Sequence, residues 1–339
     1  MTTPLPSDVG PPIVPPGAGL ILMYHRVGDG GADPWALCVS PQHFAQHLEV
    51  LRRRSRSMRV RDLVTMVGDG SLPTGASVVT FDDGYADNLG NARALLERHD
   101  IPATVFLATG QIGRPREFWW DELERILLEP GVLPATLEIS LKGRRYEWSL
   151  EGATDYPEPE ARRHRHWRFR DDPPTERHRL YRVLWELLRA LPGGERLAAM
   201  DALFAWAGFS PDARSSHRPL KADEVAELAA GDLVEIGAHT VTHPLLPTLS
   251  PAEQATEVQA SRASAEHLVG RPVISFAYPY GAHETETRSI VRELGFLSAC
   301  STKPGPVSVT SDLFALPRLH IEDWDGEELE RRLAGALSG

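Results

Sequence analysis

The chain has 339 residues, 42% of them hydrophobic and 24% charged, with a formal net charge of −11. That is the composition of a soluble globular protein with ample core material, enough for one large α/β domain or two ordinary ones. The acidic balance excludes a general binder of nucleic acid or of anionic membranes, and no apolar run approaches the roughly 20 residues of a transmembrane helix.

Residues 1–18 are rich in proline and glycine and read as a flexible N-terminal arm. They lack the basic segment and apolar stretch of a signal peptide. The two cysteines, Cys38 and Cys300, read as reduced, buried thiols, and low cysteine use without an export signal points to the cytoplasm. The run GLILMYH (19–25) is nearly continuous in apolar residues, as in a strand buried on both faces. SVVTF (77–81) and ATVFLAT (103–109) follow, and Pro102 resets the chain between them. Further on come DLVEIGAH (232–239), VISFAYPYG (273–281), FLSACST (296–302) and FALPRLHI (314–321), making seven candidate strands.

Ser250-Pro251-Ala252-Glu253 is a capping-box start for a helix that runs to about Leu268 and stops at Gly270. A second helix covers roughly Glu284–Leu294, with Gly295 just past its end. Alternating strands and helices imply a parallel sheet with right-handed crossovers, in a barrel or a doubly wound sheet. About 111–220 breaks the alternation. WWDELERILL (119–128) and LYRVLWELLRAL (180–191) each carry one apolar helical face, the second through Leu180, Val183, Leu184, Leu187, Leu188 and Leu191. This interval reads as a mostly helical insertion.

Asp82 and Asp83 end the second strand, where parallel α/β proteins keep their sites. Taken alone, the pair equally suits a helix cap. His239 and His243, four residues apart, also follow a strand, and such a pair can present nitrogens to one metal. Two histidines and one carboxylate on strand ends make a divalent-metal site with open positions for water and substrate. A cation there would relieve the repulsion between the two aspartates.

These residues carry a resemblance. Thr80–Gly84 (TFDDG), His239–His243 (HTVTH) and Pro279–Gly281 (PYG) have the order and spacing of the motifs of the polysaccharide deacetylase family (NodB homology, carbohydrate esterase family 4). The chain resembles that family over about 20–110 and 220–322. The resemblance implies a single distorted seven-stranded (β/α) barrel over 19–339, interrupted by the insertion at about 111–220. It implies hydrolysis of N-acetyl or O-acetyl groups on sugars, with Asp82 as general base and Asp83, His239 and His243 on one divalent ion. Zinc fits the ligand set, and nickel, cobalt and iron(II) bind similar ones. The backbone N–H of Tyr280, in the motif with Pro279, would help hold the oxyanion.

Two departures matter. The arginine that many members carry two residues before the third-motif proline is Ala277 here, and Arg318, on one strand face with Leu316 and His320, is the expected replacement. The Leu-x-His motif that supplies the general acid reads Arg318-Leu319-His320. A family branch opens with a strand ending in Tyr-His, as Tyr24-His25 does here, and His25 can then take the acid's place, with His320 the rival. Tyr24 is placed with the substrate contacts. Asp323-Trp324 is assigned no function.

The expected activity is metal-dependent removal of an N-acetyl group from an amino sugar or an intermediate containing one. Two rivals stand beside it: a deacylase or deformylase for a small-molecule amide in biosynthesis, and a non-catalytic carbohydrate-binding barrel. The expected partner is an acylated amino sugar or glycoconjugate, with the oligomeric state left open. RRHRHWRFR (162–170) is either a solvated loop or a grip on an anionic substrate, through Arg165 and Arg168 with Trp167 stacking.

Overall fold

The computed structural model describes residues 14–336, so most of the expected N-terminal arm lies outside the described residues. Val14 is already buried, and its carbonyl accepts a hydrogen bond from the Gly75 amide at 3.0 Å. Val14 thus packs against the body of the unit, while residues 15–17 are exposed. The chain divides into two compact units. One comprises the chain through Asp29, Leu37–Gly113 and Leu220 onward, and the other Gly30–Ala36 with Arg114–Pro219.

All seven runs read as strands lie in one curled, nine-stranded, mostly parallel sheet of the first unit. Its path runs Ser298–Cys300, Ser275–Ala277, Val234–Ala238, Ala103–Leu107, Ala76–Phe81, Ala18–Tyr24 and Val307–Ser308, the last antiparallel. Arg56–Met58 pairs beside Ala76–Phe81, and Leu319–His320 pairs in parallel with Ala18–Tyr24. A bridge from Cys300 to Leu316 links the far strand to the segment that rejoins the first, so residues 316–320 curl the sheet toward closure. Regular pairing in this segment is shorter than FALPRLHI suggests. Pro317 has no N–H for a ladder, so only Leu319–His320 pairs as a strand.

Strand alternation sorts the side chains onto two faces. Leu20, Leu22, Val79, Phe81, Val105, Leu107, Ile236 and Phe276 share a cluster with residues of the surrounding helices, including Phe44, Leu48, Val258 and Leu329. Ile21, Val78, Phe106, Ala277, Cys300 and Leu316 form a second cluster with the helix Val60–Gly68. The predicted helix caps are present: Ser250 and Glu253 bond reciprocally, and Gly270 ends the helix Pro251–Val269 in the left-handed region.

The same alternation corrects the assignment of Tyr24. It shares a face with Leu20 and Leu22, opposite His25, and is fully buried. Its ring lies 5.3 Å from that of Phe44 and 5.5 Å from that of Phe81. His47 Nε2 bonds to the Trp324 carbonyl at 2.7 Å, so that nitrogen carries the proton and Nδ1 accepts from the Tyr24 hydroxyl at 3.2 Å. Tyr24 is a core residue whose hydroxyl is taken by His47. Asp323 accepts from Ser40 N, Ser40 Oγ and His43 Nδ1 at 2.7–2.9 Å, so Asp323-Trp324 fastens the chain to the helix Pro41–Arg54.

The second unit holds the helices Trp119–Leu128, Glu158–His164, Glu176–Arg189 and Gly193–Ala207. Val183 is exposed, and the buried face of its helix is Leu180, Tyr181, Leu184, Trp185 and Leu188. The unit also holds a β-hairpin, Thr136–Leu141 with Arg144–Ser149. Its signal is in the sequence: Leu137, Ile139 and Leu141 alternate before Lys142-Gly143, whose positive φ values of 49° and 73° suit a tight hairpin turn. Trp167 is buried against His178 and Tyr181, with its indole N–H on the carbonyls of Asp171 and Asp172. Arg165 bonds the Gly30 carbonyl and Arg168 the Asp33 carbonyl at 2.9 Å. These side chains hold the unit's own backbone, and Trp167 is not a stacking platform.

Tyr24→Phe is expected to keep the fold while costing about 1 kcal/mol of stability for the lost hydrogen bond. Urea unfolding followed by circular dichroism checks this.

Candidate active site

The site is built on strand ends. Inward alternation through Val78 and Thr80 carries Asp82 to the inner face, and its amide bonds the Tyr24 carbonyl at 3.0 Å. Arg318 is fully buried. Its two terminal nitrogens donate to Asp82 Oδ1 and Oδ2, each at 2.7 Å, and Nε donates to the Ser301 carbonyl at 2.9 Å. Nη1 also reaches Thr80 Oγ1 at 3.2 Å, and the guanidinium lies 5.6 Å from the Phe106 ring centre. The structure thus brings a guanidinium onto Asp82 although position 277 is alanine. Burial pushes the Asp82 carboxyl up, but the charge of Arg318, with His239, outweighs it and holds the group at about 2.

Asp83 leaves the strand pattern with φ 74°, which turns a second carboxylate away from the first. Gly84 follows at φ 88°, and a Cβ there would fall 2.7 Å from Leu107 Cδ2, so only glycine fits. Asp83 Oδ1 lies 3.7 Å from His239 Nε2 and 3.5 Å from His243 Nε2. All three residues are buried, and their candidate ligand atoms lie within 4.8 Å of one another. The HTVTH segment is no helix: Thr240 and His243 have φ of 65° and 52°, and this turn brings the rings 4.8 Å apart.

Glu257, which the sequence did not single out, holds that turn. Its carboxylate accepts from Val241 N at 2.8 Å, Thr242 N at 2.9 Å and Thr242 Oγ1 at 2.7 Å. It lies within the helix Pro251–Val269, fourteen residues beyond His243, and no local pattern marks it.

The donor set suits a metal. His239 Nδ1 bonds the Ala277 carbonyl at 2.7 Å, so it carries the proton and leaves the Nε2 lone pair facing Asp83. Burial lowers the His239 pKa and keeps the ring neutral, as a ligand must be. Bonds of 2.0–2.1 Å in a tetrahedral site put ligand atoms about 3.3 Å apart, close to the separations found.

Tyr280 occupies the tight turn Pro279–Gly281 with φ 59°, and its ring meets His243 edge-on at 4.6 Å. Pro279 is buried beneath it. A Cβ at Gly281 would fall 2.1 Å from Thr302 Oγ1, so the turn packs against the following strand end without room for a side chain. His25 and His320 come together, with ring centres 5.8 Å apart. Burial, opposed by Asp82 and reinforced by His320 and Arg318, pulls the His25 pKa down to about 3, so it is neutral at ordinary pH.

A family model described as polysaccharide deacetylase matches residues 69–132 and 202–299. Over those two segments the chain is similar to the polysaccharide deacetylase family. The two matched segments contain Asp82, Asp83, His239, His243 and Tyr280, while His25, Arg318 and His320 fall outside them. A polysaccharide deacetylase relative by name, YxkH of Bacillus subtilis (strain 168), is 27% identical over 108 residues, which are 31% of this chain and 37% of that one. Among solved structures, the deacetylase PplD of Streptococcus pyogenes, in complex with acetate, is similar with a TM-score of 0.58 at 18% identity, over 93% of this chain and 98% of that one. IcaB from Ammonifex degensii gives 0.57 at 18%, over 94% and 98%. These likenesses show that the deacetylase barrel is the fold.

Arg318→Met leaves Asp82 buried without its cation, and is expected to cost about 3–5 kcal/mol. The Asp82 pKa of about 2 lies below the ~3.9 of an unfolded aspartate. The stability tied to this shift is therefore present above pH ~3.9 and is lost as pH falls through about 2. In the variant, desolvation acts unopposed by that charge, so the acid limb of the activity profile moves to higher pH. Unfolding at neutral and acid pH, with a pH–rate profile, measures both.

Proposed function

We propose that this chain is a metal-dependent N-deacetylase acting on an acetylated amino sugar within a glycan. The observation that carries the reading is a carboxylate held ionised at neutral pH, Asp82, adjoining the set Asp83, His239 and His243. A divalent ion held by those three, with zinc the best fit to the donors, supplies polarisation of the acetyl carbonyl and a lowered pKa for water.

The chain's own residues supply the rest. Asp82 accepts the proton of the attacking water, and Arg318 fixes the carboxylate's orientation through both forks. The Tyr280 N–H, aimed by the Pro279–Gly281 turn, donates to the oxygen that gains charge. His25 passes a proton to the departing amine, with His320 beside it as the second imidazole. His25 is neutral at rest, so the proton it delivers to the amine is the one Asp82 takes from the attacking water, and both groups end the cycle as they began it.

The match to the family model, and the acetate bound by the PplD neighbour named above, support an acetylated substrate. The neutral-amide rival, a small-molecule deformylase, uses the same groups. It is separated by mass spectrometry of metabolite and glycan pools incubated with the protein, which distinguishes loss of acetyl from loss of formyl. A cytoplasmic location accords with two buried cysteines that share no disulfide.

Alanine at Asp83, His239 or His243 is expected to remove metal and acetate release together. Asp82→Asn is expected to keep metal occupancy while lowering kcat about 10²–10⁴-fold, the range of a lost general base. Equal metal loss at Asp82 and Asp83 would reverse the assigned roles. Metal content by plasma mass spectrometry, alongside acetate release from an N-acetylglucosamine pentamer, decides it.

A further inference from the structure

Regular pairing of the first strand with its neighbour ends at Tyr24 opposite Phe81. His25 therefore leaves the sheet, and something else must fix it. The side chains that do so come from one short stretch, Asp87 to Asn91, that begins four residues after Asp83. Asn88 is buried, and its Nδ2 donates to the His25 carbonyl at 2.9 Å. Asp87 Oδ1 accepts from the Val27 amide at 3.2 Å, and Asn91 Nδ2 donates to the Val27 carbonyl at 2.7 Å. Arg26, also buried, donates through Nε to Asp87 Oδ2 at 3.2 Å and lies over the Tyr85 ring at 5.1 Å. The stretch Asn88–Ala92 is wound as a π-helix, a local widening that recurs at functional sites.

We propose that Asn88 is a positioning residue that ties His25 to the Asp82-Asp83 loop and so sets the imidazole for proton delivery. This rests on the role given to His25 above. The tie runs through side chains, so it can be cut without breaking the sheet. The Asn88 amide joins the His25 backbone to the chain segment that carries the base and one metal ligand. Relative movement of acid and base is then limited by side-chain hydrogen bonds, one to His25, one from Arg26 and two to Val27, beside the backbone bond from the Asp82 amide to the Tyr24 carbonyl. A displacement of about 1 Å at such a group can cost about a hundredfold in rate.

The test uses zinc-loaded full-length protein, with acetate release from the N-acetylglucosamine pentamer and ¹⁵N-histidine NMR. Asn88→Ala, and Asn88→Asp with its similar shape and no N–H donor, are expected to lower kcat about tenfold or more. KM and zinc content should stay within twofold. The ¹⁵N signals of His25 should shift or broaden while those of His239 and His243 hold. Adding Asn88→Ala to His25→Ala should cost nothing more, because the group being positioned is already gone. Additive losses in that double variant, unchanged His25 signals, or zinc loss matching the activity loss would overturn the proposal. Full activity in His25→Ala, with Asp82→Asn inactive, would overturn the role of His25 and this inference with it. The deacetylase reading would stand.

Discussion

One buried ion pair organises the site. Asp82 and Arg318 are both taken out of water, and each would be strongly destabilising alone. Together they form a two-pronged pair in which the guanidinium also bonds the Ser301 carbonyl and Thr80 and lies beside the Phe106 ring. Two carboxylates side by side could not both be ionised in such a place without compensation. The structure separates the two: Arg318 serves Asp82, and Asp83 faces His239 and His243. The difference in partners follows from one dihedral angle, the positive φ at Asp83 that sends adjacent side chains apart.

Backbone strain is concentrated at the same place. Asp83, Thr240, His243 and Tyr280 have φ between 52° and 74°, a region that costs most side chains free energy. Surroundings impose these angles. Glu257 binds two amides of the histidine turn, and the absence of a Cβ at Gly84 and Gly281 lets neighbouring chain approach closely. Donors held this way need little rearrangement when charge develops on a bound amide.

Much of this was legible in the sequence because it rests on short-range rules. Apolar runs bounded by glycine and proline located the seven strands, and Ser250 with Glu253 located a helix start. Period-two alternation put Arg318 on one face with Leu316. Applied to the first strand, the same rule places Tyr24 with Leu20 and Leu22, which is why a motif carried over by position misplaced it. What stayed hidden depends on long-range contact. Glu257 has no local signature, since its role exists only once its helix packs beside the histidine turn. The clamp around His25 joins residues some 60 positions apart. Pairing in the last strand was overestimated because Pro317 interrupts it, a local signal that the apolar pattern outweighed.

The closing segment has a consequence for biosynthesis. Asp82 and Arg318 are separated by 236 positions, and the residues that bring the sheet toward closure, 316–320, are the same ones that deliver the arginine. A ribosome releases the chain from its N-terminus, so the strands around Asp82 emerge long before their cation exists. Until residue 318 is available, the carboxylate must stay hydrated or take up a proton, and the sheet cannot close dry around it. Closure of the sheet and pairing of Asp82 are therefore one event in the life of the nascent chain. No product of interrupted translation that stops short of residue 318 can hold an oriented, charged Asp82.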